Sequence, residues 1–345
     1  MNIKFYISIL AIIVCGSLMY GGNPDRQGQA GASELLMNPW GRSAGLHSMS
    51  TSSATGVEAM RINVAGISRI NRFEIGVSNN RLYSGSDLNL NSFGMVTRLG
   101  ETGALGVEFS SLNFGDIPIT TNLQPAGTGG TFSPGFFQLG IGYGFTYANK
   151  ISVGLLFRGI SESVIDVSAF GWAVDAGVQY VSGEKDNFKL GIALRNVGSP
   201  MQFGGEGLSV RRPNPDQAYG SYQINYDYRA ASFELPSLLN LGVSYDIYFK
   251  EDLFLRTLGN FTSNAFSQDQ VGVGAELSFK NLAILRGAYK TDLGENIDGD
   301  NIYTGFAGGF TANLPFNGNN ISFDYAYRST NPYKGTHNFT IVYSL

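Results

Sequence analysis

The chain is short of the residues that build most catalytic and metal sites. Of its 345 residues one is cysteine, Cys15, two are histidine and two are tryptophan. A lone cysteine excludes a disulfide framework. The histidines, His47 and His337, sit far apart in sequence. No phosphate-binding loop, zinc spacing or nucleophile elbow accompanies them, so neither an enzyme nor a cofactor is expected. Only 14% of residues are charged, and the net charge of −4 leaves no basic footprint for nucleic acid. Beyond residue 20 no apolar run approaches the roughly 20 residues that a spanning helix needs.

Glycine and aromatics are abundant instead: 46 Gly, 24 Phe and 18 Tyr. That mix is too hydrophobic and aromatic for a disordered chain. The N-terminus, "MNIKFYISILAIIVCGSLMYGG", has Lys4, an apolar run from Phe5 to Val14 and then small residues. It reads as a secretory signal peptide over residues 1–22, with cleavage between 20 and 30. Val14 is not the small residue that a lipid-modified Cys15 would need before it.

From residue 73 onward the chain alternates. In "FFQLGIGYGFTYANKISVGLLFRG" (136–159), Phe137, Leu139, Ile141, Tyr143, Phe145 and Tyr147 are separated by Gln, Gly and Thr. The pattern restarts after Ala148-Asn149-Lys150 with Ile151, Val153, Leu155 and Phe157. Strict alternation predicts strands with one apolar face. Fourteen segments read this way: 73–79, 92–99, 104–113, 136–147, 151–159, 169–181, 187–197, 237–249, 253–261, 270–279, 282–290, 302–314, 319–328 and 336–345. The opposite face carries Glu108, Arg158, Asp175, Arg195, Asp246, Glu276, Arg286 and Asp324, and also Gly140, Gly142, Gly144, Gly154, Gly272 and Gly274.

A soluble sandwich and a membrane barrel share this alternation. The connections separate them. They alternate between short (100–103, 148–150, 183–187, 251–253, 280–281, 316–319) and long (80–91, 114–135, 160–168, 198–236, 262–269, 291–301, 329–335). Short turns on one side and long loops on the other belong to an outer-membrane barrel with both termini periplasmic, and a final strand ending at Leu345 would close it. The expected fold is therefore all-β: a transmembrane antiparallel β-barrel of about fourteen strands over 73–345. Residues 31–72, rich in Ser, Gly and Ala, fit no strand. A plug filling the wide lumen is expected there.

Within that segment, "NPWGRSAGLHSMSTSSATGVEAMRINVAGISRI" resembles the hatch of the FadL-like outer-membrane barrels. Arg42-Ser43-Ala44-Gly45-Leu46 matches its first element and Asn63-Val64-Ala65-Gly66-Ile67 its second, with Val64 in place of proline. "SGSDLNLNSFGMVTRLG" (84–100), "NFGDIPITT" (113–121), "GTFSPGFF" (130–137) and "LRNVGSPMQFGGEGLS" (194–209) resemble the PorV/PorQ branch of that superfamily. The resemblance implies a fourteen-stranded barrel of the type IX secretion system of Bacteroidetes-type bacteria. Its partners would be the translocon barrel or secreted proteins with C-terminal sorting domains, besides outer-membrane lipid. Relatives in the wider superfamily carry hydrophobic molecules such as long-chain fatty acids instead.

Two site expectations follow. The loop 198–236 is far longer than ordinary connections. It carries Leu208, Arg211, Arg212, Tyr219, Tyr222, Tyr226 and Tyr228, and Tyr and Arg dominate interface hot spots. It would bind a protein partner or fold back as a cap. The acidic loop 291–301, with Asp292, Glu295, Asp298 and Asp300, misses calcium-loop spacing and reads as solvated. A hydrophobic channel would need a continuous apolar path in the lumen. The inward positions read as mostly Gly, Ser, Asn and charged, which favours the secretion reading over the channel.

Overall fold

The structure, a computed structural model, describes residues 23–214, 222–250, 252–294 and 302–345. The expected signal peptide, Tyr219, Glu295, Asp298 and Asp300 lie outside the described residues. Fourteen antiparallel strands form a closed barrel in sequence order. They are β1 Phe73–Arg81, β2 Asn89–Leu99, β3 Gly103–Asn113, β4 Gly135–Tyr147 and β5 Ile151–Val164. Next come β6 Val167–Ser182, β7 Phe188–Gly198, β8 Leu238–Lys250, β9 Leu253–Asn264 and β10 Asp269–Phe279. The last are β11 Ala283–Leu293, β12 Tyr303–Phe316, β13 Asn319–Thr330 and β14 Thr336–Ser344. β14 pairs with β1, from Glu74↔Ser344 to Arg81↔His337, so the sheet has no free edge. Each of the fourteen expected segments coincides with one strand.

The alternation sets the two faces. On β4, Phe137, Leu139, Ile141 and Tyr143 are 39%, 42%, 51% and 50% exposed, while Phe136, Gln138, Gly140 and Gly142 between them are buried. The same outward apolar row recurs on β6 with Phe170 and Trp172, on β10 with Val273 and Phe279, and on β14 with Phe339 and Ile341. An apolar belt around the whole barrel costs about 25 cal/mol per Å² in water and nothing in a bilayer. Among the described residues no helix is long and apolar enough to cross a membrane.

The connections expected to be long at 80–91, 114–135, 198–236 and 291–301 are long, whereas 262–269 narrows to 265–268 between β9 and β10. The segment 160–168, expected as a long loop, is a tight hairpin: β5 and β6 continue to the pair Val164↔Val167, turning at Ile165-Asp166. Ile165 takes a positive φ of 52° there. The serines and glutamate of "SESVIDVS" resemble a loop, but Val164 and Val167 hold the ladder beyond the rim, and Ser168 extends it through a bridge to Gly204.

Residues 32–70 run through the lumen as short helical turns, among them Gly41–Ala44, Ala59–Ile62 and Val64–Arg69. They bond to inward residues from many sides. Asn338 on β14 donates to the carbonyls of Asn38 and Pro39, both at 3.0 Å. Gln179 on β6 donates to Ala54 O at 2.9 Å. Ser52 meets Ser244 of β8 at 3.0 Å, and Ser68 meets Thr146 of β4 at 2.7 Å.

The inner wall opposite this segment is glycine. A Cβ on Gly76 or Gly94 would lie 3.0–3.1 Å from the Trp40 ring or Val57. One on Gly106 would lie 2.6 Å from the Met60 sulfur, and one on Gly144 2.7 Å from Ile67. At Gly154 it would lie 2.7 Å from the backbone of Val64. Gly177 meets Asn63, Gly191 and Gly242 meet Thr51 and Ser52, and Gly272 meets Met49. Many are register partners: Gly76↔Gly94, Gly106↔Gly142, Gly144↔Gly154, Gly154↔Gly177 and Gly191↔Gly242. They form a side-chain-free belt into which the inner segment fits. Gly140 and Gly274 differ, since their missing Cβ atoms would meet wall side chains.

Replacing Gly154 by Val should overpack this contact and cost about 1–3 kcal/mol. Gly287→Val is the control, because its added Cβ would meet only Ala307 O, 3.9 Å away. Urea unfolding in detergent, followed by the heat-modifiable gel mobility of the folded barrel, should show a lower midpoint for Gly154→Val alone.

Candidate functional site: a lumen with two faces

The residues that resemble a hatch motif are packed between the inner segment and the wall. Arg42, on the turn Gly41–Ala44, points at Asp324 of β13 with Nε–Oδ1 3.7 Å. Gly45 lies where a Cβ would come 2.9 Å from the Arg286 side chain. Asn63 is 1% exposed. Its Nδ2 donates to Thr51 O at 2.9 Å and Val178 O at 3.0 Å, and its Oδ1 caps the next turn by accepting from Ala65 N. Ala65 is fully buried, and a Cβ on Gly66 would collide with the Ala54 carbonyl. Val64, which stands where the family pattern has proline, packs its methyl against Gly142.

The strands divide the lumen lengthwise. On β7–β13 one row is an alternating ion ladder. Lys189 bonds Asp246, Arg256 Nε bonds Asp246 at 2.6 Å, and Arg256 and Arg286 each bond Glu276 at 3.1 Å. Arg286 approaches Asp324 at 4.0 Å, and Arg42 closes the row. Asp246↔Arg256, Arg256↔Glu276 and Glu276↔Arg286 are direct register partners, so strand pairing alone aligns opposite charges. A second group joins Arg158 of β5 to Asp175 at 2.9 Å and Glu108 at 3.9 Å. The charges that the sequence places on the inward face could tie the inner segment to the wall or pair along the wall itself. They pair mainly wall to wall, and Arg42 carries the ladder across to the plug.

The β1–β6 side is different. Toward the long loops, inward Leu90, Leu112, Phe136, Ile160, Ala169 and Ala173 form one buried apolar cluster. Leu82, Leu35, Met201 and Leu235 complete it, and Phe203 and Phe233 pack against it. Below it, Val96, Ala104, Leu156 and Val342 pack against Trp40, Val57, Met60 and Ile67. The expectation of a polar lumen therefore fails on this side. Leu90 and Ile160 lie just outside the expected segments, and the pair Phe136-Phe137 masks which aromatic points inward. The apolar strip was hidden at the strand ends.

Two cavities flank the ladder and the outer wall. One of about 360 Å³ opens toward the short-turn end, lined by Arg42, Glu58, Glu74, Arg256 and Glu276 with serines and asparagines. A groove of about 520 Å³ lies on the outer face of β4–β7 between Tyr143, Phe145, Leu155, Ile192 and Leu194. Gly154 and Gly177 floor it, so only backbone separates it from Val64.

The loop residues expected to bind a partner lie together on a two-stranded ribbon, Ser209–Pro213 paired with Gln223–Asp227. Arg211, Arg212, Tyr222, Tyr226 and Tyr228 are exposed, and Leu208 is half-buried. Arg212 donates to the Tyr228 hydroxyl at 3.2 Å. The base of the same loop folds inward through Met201 and Leu235. Its base therefore caps the lumen, and the paired strands of the ribbon are mostly exposed. His337 accepts or donates through Nδ1 with the Tyr325 hydroxyl at 2.8 Å, and His47 stacks edge-on to Tyr303. Among the described residues no group of acidic, histidine or cysteine side chains is arranged to hold a metal.

Glu58 of the plug has one carboxylate oxygen without a hydrogen-bond partner. Burial pushes its carboxyl up to about 7, against the pull of Arg42. A raised acid favours folding only while protonated. The penalty is absent below its ordinary 4.5, grows as pH rises, and is complete above about 7. Glu58→Gln should remove a penalty on the order of 3 kcal/mol. Its unfolding midpoint should exceed that of the parent at pH 8 and match it at pH 4.

No known family matches the chain by sequence, and no curated protein does either. Solved structures do match in shape. The monoaromatic hydrocarbon channel CymD is similar with TM-score 0.58 and 13% identity, over 88% of this chain and 97% of that one. The toluene transporter TodX of Pseudomonas putida gives 0.55 and 13%, over 89% and 98%. A FadL homologue of Pseudomonas aeruginosa gives 0.50 and 11%, over 88% and 96%. At this identity the likeness is one of fold. The chain has the closed fourteen-stranded barrel fold of the FadL-like channels.

Proposed function

We propose that this chain is an outer-membrane channel for small hydrophobic molecules, with its short turns and both termini in the periplasm and its long loops outside. The observation that carries the reading is the apolar strip on β1–β6. It begins beneath the loops at Leu82 and Leu90 and continues past Phe136 and Ile160 to Leu156 and Val96. A barrel needing only a sealed lumen could use charge pairs all round, as β7–β13 do. Lining one side with leucine, isoleucine and phenylalanine gives a hydrophobic molecule a surface that water and ions lack. The base of the 198–236 loop lies on that strip through Met201 and Leu235, so entry requires it to move. At the outer-face groove only the backbone of Gly154 and Gly177 stands between the outer face and the inner segment. The fold of the hydrocarbon channels supports the same reading.

The exposed Arg and Tyr ribbon supports a second reading, a PorV/PorQ-like partner of secreted proteins or of a translocon barrel. It would leave the apolar strip as ordinary packing.

Uptake of N-phenyl-1-naphthylamine by proteoliposomes separates the two. The parent should exceed empty vesicles. Leu112→Asp and Ile160→Asp should slow uptake about tenfold, equivalent to ~1.4 kcal/mol in the barrier. Deletion of 208–230 should leave it intact. Uptake no faster than in empty vesicles overturns the channel reading. Co-purification of secreted proteins, lost with that deletion, would establish the second.

A further inference from the structure

The ladder charges of the lumen are paired with carboxylates, and one cluster of cations is not. At the long-loop end of the β7–β13 side lies a cavity of about 220 Å³. Three cations line it: Arg195 of β7, Lys290 of β11 and Arg328 of β13. Among the described residues its lining contains no carboxylate. The remaining wall is mostly hydrogen-bonding: Asn240, Thr262, Asn264, Gln270, Ser48 and Ser267.

The arginines are buried, at 7% and 4% exposure, and neither forms an ion pair among the described residues. Arg195 donates one weak bond, 3.4 Å to Leu35 O, and its Nε has no partner. Arg328 lies 4.8 Å over the Tyr303 ring, with both Nε and one terminal nitrogen unpartnered. His47 Nε2, also unpartnered, borders the same space. Burial, then the charges of Lys290 and Arg328, hold the imidazole well below its usual range, so it stays neutral.

The nearby acids are engaged elsewhere. Asp175 binds Arg158 at 2.9 Å and Asn196 N at 2.7 Å. Asp269 accepts from Asn264 N at 2.9 Å. Asp292, on the same strand as Lys290, accepts from Gln270 at 2.7 Å. Among the described residues none of these three carboxylates pairs with Arg195 and Arg328, which are buried, or with Lys290, which is half-buried. Buried cations without counter-charge cost several kcal/mol unless something pairs with them. The ladder on β7–β13 and the group around Arg158 meet that requirement with carboxylates; this cluster leaves it to a ligand.

We infer that Arg195, Lys290 and Arg328, with the amides and hydroxyls between them, form a binding site for a small hydrophilic oxyanion such as phosphate. The size and the polar lining select against an acyl chain: among the described residues Leu36 and Leu238 are its only aliphatic side chains. The guanidinium forks match a tetrahedral or planar oxyanion, and Lys290 adds a point charge. The site is separate from the apolar strip, so it stands whether or not the chain carries hydrocarbons.

The test is calorimetric titration of the full chain in zwitterionic detergent-free micelles of a neutral glycoside, with inorganic phosphate against sodium chloride at equal ionic strength. Phosphate should bind and raise the melting temperature, while chloride should do neither. Lys290→Gln with Arg328→Gln should weaken binding by more than about tenfold. Lys290→Arg should keep it. If the double variant does not fold, Lys290→Gln alone carries the test, with an expected weakening of about tenfold. Equal binding by parent and Lys290→Gln overturns the site, as does a parent that ignores phosphate. Octanoate binding more tightly than phosphate at this site, lost with Lys290→Gln, overturns the hydrophilic assignment.

Discussion

The approach of the inner segment to a glycine wall sets the rest of the structure. A barrel of fourteen strands has a lumen too wide for its own side chains to fill. Here the chain before β1 fills it, and it does so with backbone close to backbone. Val64 and Ala65 lie against Gly154, and Thr51 and Ser52 against Gly191 and Gly242. Side chains on those strands would hold the segment off. Their absence lets Asn63 reach the carbonyls of β6 and β7 directly. The glycines therefore do two things at once: they admit the segment, and they thin the wall beneath the outer groove.

Once seated, the segment divides the lumen into two chemistries. On one side strand register places Asp246, Arg256, Glu276 and Arg286 in line, and each charge finds its neighbour. Removing Glu276 would leave Arg256 with Asp246 alone and Arg286 with only its 4.0 Å approach to Asp324. On the other side Leu90, Leu112, Phe136 and Ile160 meet leucine and methionine from the plug and the long loop. The ladder resists movement because it is specific. The apolar side can repack, because aliphatic contacts are non-directional.

The barrel was legible because a lipid-facing wall forces alternation on every strand, and "FQLGIGYGFTY" carries it without interruption. The hairpin at Ile165-Asp166 was not, since its polar residues imitate a loop while Val164 and Val167 keep the ladder. Of the hatch, Asn63 and Arg42 were visible as a pattern, but their partners on β6, β7 and β13 were not. The apolar strip escaped because each contributing strand offers one or two residues near its end. Arg195, Lys290 and Arg328 escaped for a related reason: closure of the barrel brings together strands far apart in sequence. Alternation tells which face a residue takes, and only register tells whom it meets.

The two-sided lumen with a greasy path is tested most directly by diffraction from crystals soaked in bromobenzene, using the anomalous signal of bromine. The account predicts a bromine site inside the barrel, in contact with Leu112, Phe136 and Ile160. Bromine found only in the outer detergent belt, with the interior strip unaltered, would contradict it.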